Sequence, residues 1–215
     1  TNQTTEEEMV RIIVFASLLI VISADLVFAD EVKIDPVGDA YVHSGNPDTN
    51  YGGSPVLYVG ETQDGDFLES LLMFDLPEVL DGATVDYGYL VLWCNLRYGT
   101  PGDNLRCDDA NADWEEMTVT WNTAPDFFGD IVPAPWPDDG DPVSFEVTEW
   151  VQDWIDGVRV NRGFLVYRFD TGGYCYANLD SRESSDTDER PFLYVIYTSS
   201  AVEGTSLGKI KAAFE

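Results

Sequence analysis

The chain predicts an all-β fold, an antiparallel β-sandwich carrying one short helix, and three observations lead there. Hydrophobic residues alternate over 87–96, with Leu90, Leu92, Cys94 and Leu96 on one side and Tyr87, Tyr89, Val91 and Trp93 on the other; that is the period of a strand. Similar short runs at 71–76, 164–169 and 192–197 are rich in β-formers and are separated by Gly, Pro, Asn and Asp clusters. Helical spacing with cap signals stands out at one place, residues 149–156. Many short strands joined by turns bury their apolar sides most simply as two packed sheets.

In chain order, residues 1–8 are polar and acidic, and an apolar run over 12–24 follows Met9 and Arg11 and closes near Val27, Phe28 and Ala29. One positive charge, a short apolar stretch and small or aliphatic residues before the cut are the marks of a secretory signal peptide. The expectation is an upstream artefact at 1–8, a signal peptide at 9–29 and a mature chain from Asp30. The apolar run, broken by Asp25, is short for a membrane span.

Residues 39–60 read as strand, loop, strand: Ala40 to Val42 is apolar, 45–55 is punctuated by Gly, Pro and Asn, and 56–59 returns to β-formers. Residues 98–142 are loop-rich and acidic and hold Trp114, Trp121 and Trp136; long loops carry binding residues more often than strands do. In the predicted helix, Thr148 is the N-cap, Glu149 suits the positive end of the dipole and Gly157 suits the C-terminal cap. Val151, Trp154 and Ile155 share a face that Trp150 extends, which fits a plug at one end of the sandwich. The β-sandwich domain is expected over 30–198, and 199–215 reads as a flexible tail or a sorting or docking segment.

Forty acidic residues against eleven Lys and Arg give a net charge of −29. Such a field repels phosphate backbones and anionic headgroups, so neither nucleic acid nor a membrane surface is an expected partner. Cationic groups, calcium and neutral sugars remain. Three cysteines are too few for a disulfide scaffold and lack metal spacing. Cys94 and Cys107 either close a short loop between strands or stay buried as free thiols.

Asp39-Ala40-Tyr41-Val42, Asn50-Tyr51-Gly52, Leu57-Tyr58-Val59-Gly60, Ser70-Leu71-Leu72, Val119-Thr120-Trp121-Asn122, Ser181-Arg182-Glu183 and Arg190-Pro191 occur in that order. In this series the chain resembles DNRLRE-type domains from about residue 37 to 198. The resemblance implies a jelly-roll-like β-sandwich of secreted bacterial and archaeal proteins, non-catalytic, with relatives among carbohydrate-binding modules, some of which bind alginate. Glu69 and Met73 stand where such relatives often carry basic residues, so direct binding of a polyuronate requires an Arg cluster or bridging calcium.

Candidate chemistry follows from residue types. The single histidine, His43, has no nucleophile motif around it, and with no G-x-S-x-G, H-E-x-x-H or phosphate loop in the chain an enzyme is not expected. Sugar binding needs an aromatic surface with polar neighbours. Trp136, between two prolines, is expected to be exposed. Tyr87, Tyr89 and Trp93, with Arg97 further along the same run, form a platform if their face is open, although aromatic rows are more often core. Calcium is the candidate cofactor, with Asp64 and Asp66 in one loop and Asp48 and Asn50 in another as oxygen donors; Asp138 to Asp141 is a weaker third set. Arg182, Glu183 and Arg190 are expected to form a structural ion-pair network. The expected function is secreted, non-catalytic polysaccharide binding, with calcium as a possible aid. The alternative is a structural subunit of a filament, adhesin or surface layer that associates with itself.

Overall fold

A computed structural model of the chain describes residues 29–126, 128–168 and 173–199. Most of the expected signal segment, the expected artefact at 1–8 and all but the first residue of the expected tail lie outside the described residues. The strands are β1 (Ala29–Ile34), β2 (Gly38–His43), β3 (Val56–Glu61), β4 (Phe67–Met73), β5 (Thr84–Gly99), β6 (Leu105–Asp109), β7 (Val132–Ala134), β8 (Pro142–Glu146), β9 (Phe164–Arg168), β10 (Cys175–Asp180) and β11 (Phe192–Thr198). Among the described residues there is one α-helix, α1 (Thr148–Ile155), which separates β8 from β9.

Every strand pair is antiparallel, and the sheet curls in the order β1-β11-β5-β10-β3-β4-β9-β6-β7, with β2 on β4 and β8 on β5. The two layers share β5. Its Thr84 to Trp93 part pairs with β11 and β8, and its Cys94 to Gly99 part pairs with β10. The chain is thus an antiparallel sandwich, as its patterning predicts, of the jelly-roll-like kind that the family resemblance implies.

The main core fills the space between the layers with Leu57, Val59, Leu72, Leu90, Leu92, Phe145, Phe164 and Leu193, all fully buried. α1 closes it through Trp150, Val151 and Trp154, and the Trp154 ring lies 4.8 Å from that of Phe164. Thr148 does not cap the helix. Its hydroxyl accepts the Gly88 N–H at 2.9 Å, and Gln152 accepts that of Val85 at 2.7 Å, so the helix is fastened sideways to β5.

A second, smaller core lies on the far side of β2, β4 and β9. Ala40, Val42, Leu71, Leu165 and Tyr167 are covered there by Val119, Trp114 and Trp121 of the 111–126 loop. β9 therefore has apolar neighbours on both faces and all five of its residues are buried. Cys94, Cys107 and Cys175 are free and buried. Of the two readings for Cys94 and Cys107 the structure shows the thiols, because β5 and β6 are not neighbours in the sheet. Among the described residues, no helix is long and apolar enough to cross a membrane.

Candidate functional site

Leu90, Leu92 and Cys94 of β5 are buried, so pleating turns Tyr87, Tyr89, Val91 and Trp93 outward; a bulge at Asp86 returns Val85, two residues before Tyr87, to the buried side. This row is not core. Tyr87 is 54% exposed, and Tyr89 and Trp93 are partly exposed. The Tyr87 and Tyr89 rings are parallel within 9° with centroids 6.4 Å apart.

Register widens the row into a surface. Lys33 of β1, Tyr194 of β11, Tyr89 and Glu146 of β8 stand directly opposite one another across four strands. Ile196 lies beside Tyr87 and Phe192 beside Val91. The polar border is organised: the Tyr194 hydroxyl donates to Glu31, Thr198 Oγ1 donates to Asp86 at 3.0 Å, and Lys33 Nζ sits 4.2 Å from the Phe192 ring centre. The bond to Glu31 raises the Tyr194 pKa. An open sheet face carrying aromatic rings, with charged and hydroxyl groups at its rim, can stack against an apolar ligand face and hydrogen-bond its edge.

The second layer carries another aromatic group. Tyr98 stacks on Tyr176 at 4.7 Å, Tyr176 neighbours Tyr58 at 6.4 Å, Tyr58 meets Tyr41 edge-on at 5.1 Å, and Tyr41 stacks on Tyr51 at 4.2 Å. Two of these contacts are stacked, one is edge-on and one tilted; Tyr98 is 41% exposed and the other four rings are partly exposed.

The remaining candidates are dispersed. Trp136 is only 8% exposed and belongs to the main core. The chain after β7 turns inward, and the ring packs over Gly60, where a Cβ would lie 2.9 Å from it. Arg97 is held by the 138–141 turn: its guanidinium donates to Asp138 at 2.9 Å and its N–H to Asp139 at 2.7 Å. Asp48 accepts from the Asn122 amide. Asn50 donates from its amide nitrogen to the Glu116 and Val119 carbonyls, and its oxygen accepts the Gly52 N–H. Asp66 faces His43 at 3.5 Å, and Asp64 is exposed. Neither expected calcium loop brings three carboxylates together.

Three carboxylates do meet elsewhere, at a place the sequence did not reveal. Asp39 of β2, Glu116 of the 111–126 loop and Glu183 each bring an oxygen within 4.8 Å of the others. Arg182 lies among them, its Nη1 at 2.9 and 3.0 Å from the two Glu116 oxygens and 3.6 Å from Glu183. Burial pushes the Asp39 carboxyl up to about 8, with the Glu183 and Glu116 charges adding to the rise and the Arg182 N–H opposing it. Arg190 makes no part of this network; it donates twice to the Ser184 carbonyl.

A sequence model of carbohydrate-binding module family 96 matches residues 30–197. Among curated proteins, the chain is similar to the tRNA nuclease WapA of Bacillus subtilis (strain 168), 27% identical over 191 residues, covering 78% of this chain and 8% of the relative. It is also similar to the tRNA3(Ser)-specific nuclease WapA of Bacillus spizizenii, 26% identical over 189 residues with the same coverage. The chain thus spans under a tenth of the length of these relatives.

Proposed function

The chain belongs to carbohydrate-binding module family 96, and on that premise we propose that it binds a neutral extracellular polysaccharide without cleaving it, along the outer face of the β1, β11, β5 and β8 layer. The observation that carries this reading is the parallel pair of exposed Tyr87 and partly exposed Tyr89, flanked in register by Tyr194. The C–H face of a pyranose ring is apolar and stacks on such rings, while its hydroxyls reach Glu31, Lys33 and Glu146 at the rim. Neutrality of the polymer follows from the net charge of −29, which opposes a polyuronate unless calcium bridges it.

The nuclease activity in the relatives' names belongs to proteins of which this chain matches 8%, and the acidic surface would repel RNA. The self-assembling subunit is the weaker reading, because β1, one edge of its layer among the described residues, carries Asp30, Glu31 and Lys33, charges of the kind that block edge-to-edge strand addition.

The test is affinity electrophoresis through gels containing neutral or uronate polysaccharides, with calcium and with chelator. Retardation by a neutral polymer is expected. The double substitution Tyr87→Ala, Tyr89→Ala should weaken it about 5- to 150-fold, at about 0.5–1.5 kcal/mol per lost ring contact, whereas Tyr176→Ala should leave it intact. No retardation by any neutral polymer, or retardation indifferent to the double substitution, would overturn the proposal.

A further inference from the structure

The corner of Asp39, Glu116 and Glu183 holds three carboxylates against one guanidinium. Asp39 is only 1% exposed. One of its oxygens, Oδ2, accepts the Arg182 N–H at 2.7 Å, and the other, Oδ1, is buried with no donor among the described residues, while the Glu183 carboxyl lies within reach of the Asp39 carboxyl. An orphaned carboxylate oxygen inside a fold is costly, and the cost is relieved by a cation or a proton.

The spacing suits a cation. Two oxygens bound to one calcium at about 2.4 Å are at most about 4.8 Å apart, and the three carboxylates fall within that limit. The geometry is also held from outside. The Asp39 N–H donates to Glu116 Oε1 at 2.9 Å, and Asn50 grips the Glu116 carbonyl at 2.7 Å. Gly52 lets that carbonyl approach so closely that a Cβ would lie 2.0 Å from it. Ser181 is tied to the Ser54 carbonyl at 2.7 Å, next to the Arg182 and Glu183 pair. Ligands fixed by their own supports lose little freedom on binding an ion.

We propose that Asp39, Glu116 and Glu183 form a hard divalent-cation site, of calcium type, that joins the start of β2, the 111–126 loop and the turn after β10. Water completes the shell, since calcium takes six to eight oxygens. Arg182 stays on Glu116 and lowers the repulsion among the carboxylates. The site is independent of sugar binding and lies on neither Tyr87 nor Tyr89.

The experiment is thermal unfolding of the full chain, stripped with chelator and then titrated with calcium or magnesium at neutral pH, beside calorimetric titration of the same sample. One calcium per chain is expected, with a rise in Tm of about 5–10 °C at calcium a hundredfold above Kd. Asp39→Asn and Glu183→Gln should each abolish the rise, and the paired substitution Asp64→Asn, Asp66→Asn should keep it. Should Asp39→Asn fail to fold, Glu183→Gln carries the test alone. No binding heat and no shift in the unsubstituted chain, or a shift that survives Glu183→Gln, would overturn the site.

Discussion

Asn50 joins two loops 66 residues apart in sequence, and the three hydrogen bonds of its side chain explain why an amide is needed there. Its Nδ2 donates to two carbonyls while its Oδ1 accepts from Gly52, a pattern that neither Asp nor Ala can reproduce. Asn50→Ala leaves the Glu116 and Val119 carbonyls short of a donor and should cost about 2–4 kcal/mol, read as a lower urea midpoint at unchanged m. Glu69 makes a second prediction at this scale. Burial raises its pKa from 4.5 to about 7, and Asp126 adds to the rise. A carboxyl raised on folding contributes stability that is fully present below its unfolded pKa and lost as pH rises through the folded one. Its share should therefore vanish between pH 4.5 and about 7. Glu69→Gln should remove that loss, leaving the variant more stable than the parent by about 1–2 kcal/mol at alkaline pH after allowing for partial exposure. Tm against pH for both proteins checks this, and parallel curves would exclude Glu69 as the cause.

Among elements, α1 couples the two layers because its tryptophans enter the main core while Thr148 and Gln152 hold β5. Trp154→Ala should destabilise by about 3–5 kcal/mol through the cavity it leaves beside Phe164, with the loss read in denaturant unfolding; a loss under 1 kcal/mol would mean that the plug is not part of the cooperative core. This element was legible in the sequence because its burial repeats at helical spacing, and β5 was legible because its burial alternates. The outward direction of Tyr87 and Tyr89 was not. Both sides of β5 are apolar, so periodicity showed two faces without saying which one water reaches. Trp136 was misread for a related reason: a proline on either side marks a loop, and only the position of Gly60 opposite shows that this loop folds inward. β6 and β7 were hidden within a loop-rich stretch, being five and three residues long. The acidic corner was invisible because Asp39 meets Glu116 across 77 residues and Arg182 across 143, and contacts at that range leave no local pattern.

Over the whole molecule, the charge of −29 separates two modes of binding. Charges act through salt-screened fields that fade beyond about 8 Å at physiological ionic strength, whereas stacking on Tyr87, Tyr89 and Tyr194 depends on contact and on water release. If the aromatic face is the main determinant, affinity for a neutral polysaccharide should change by less than about twofold between about 0.05 and about 0.5 M salt. A uronate polymer should behave differently. Without divalent ions it should bind least at low salt, where its repulsion from the acidic surface is strongest, and calcium should rescue it. The mixed rim of Glu31, Lys33 and Glu146 makes the distinction sharp, because one lysine among acids gives no basic track for a polyanion to follow. Binding titrations over that salt range decide the matter. Tight uronate binding at low salt in the presence of chelator would mean that local positive charge outweighs the field of the molecule and that the aromatic face is not the determinant of ligand choice.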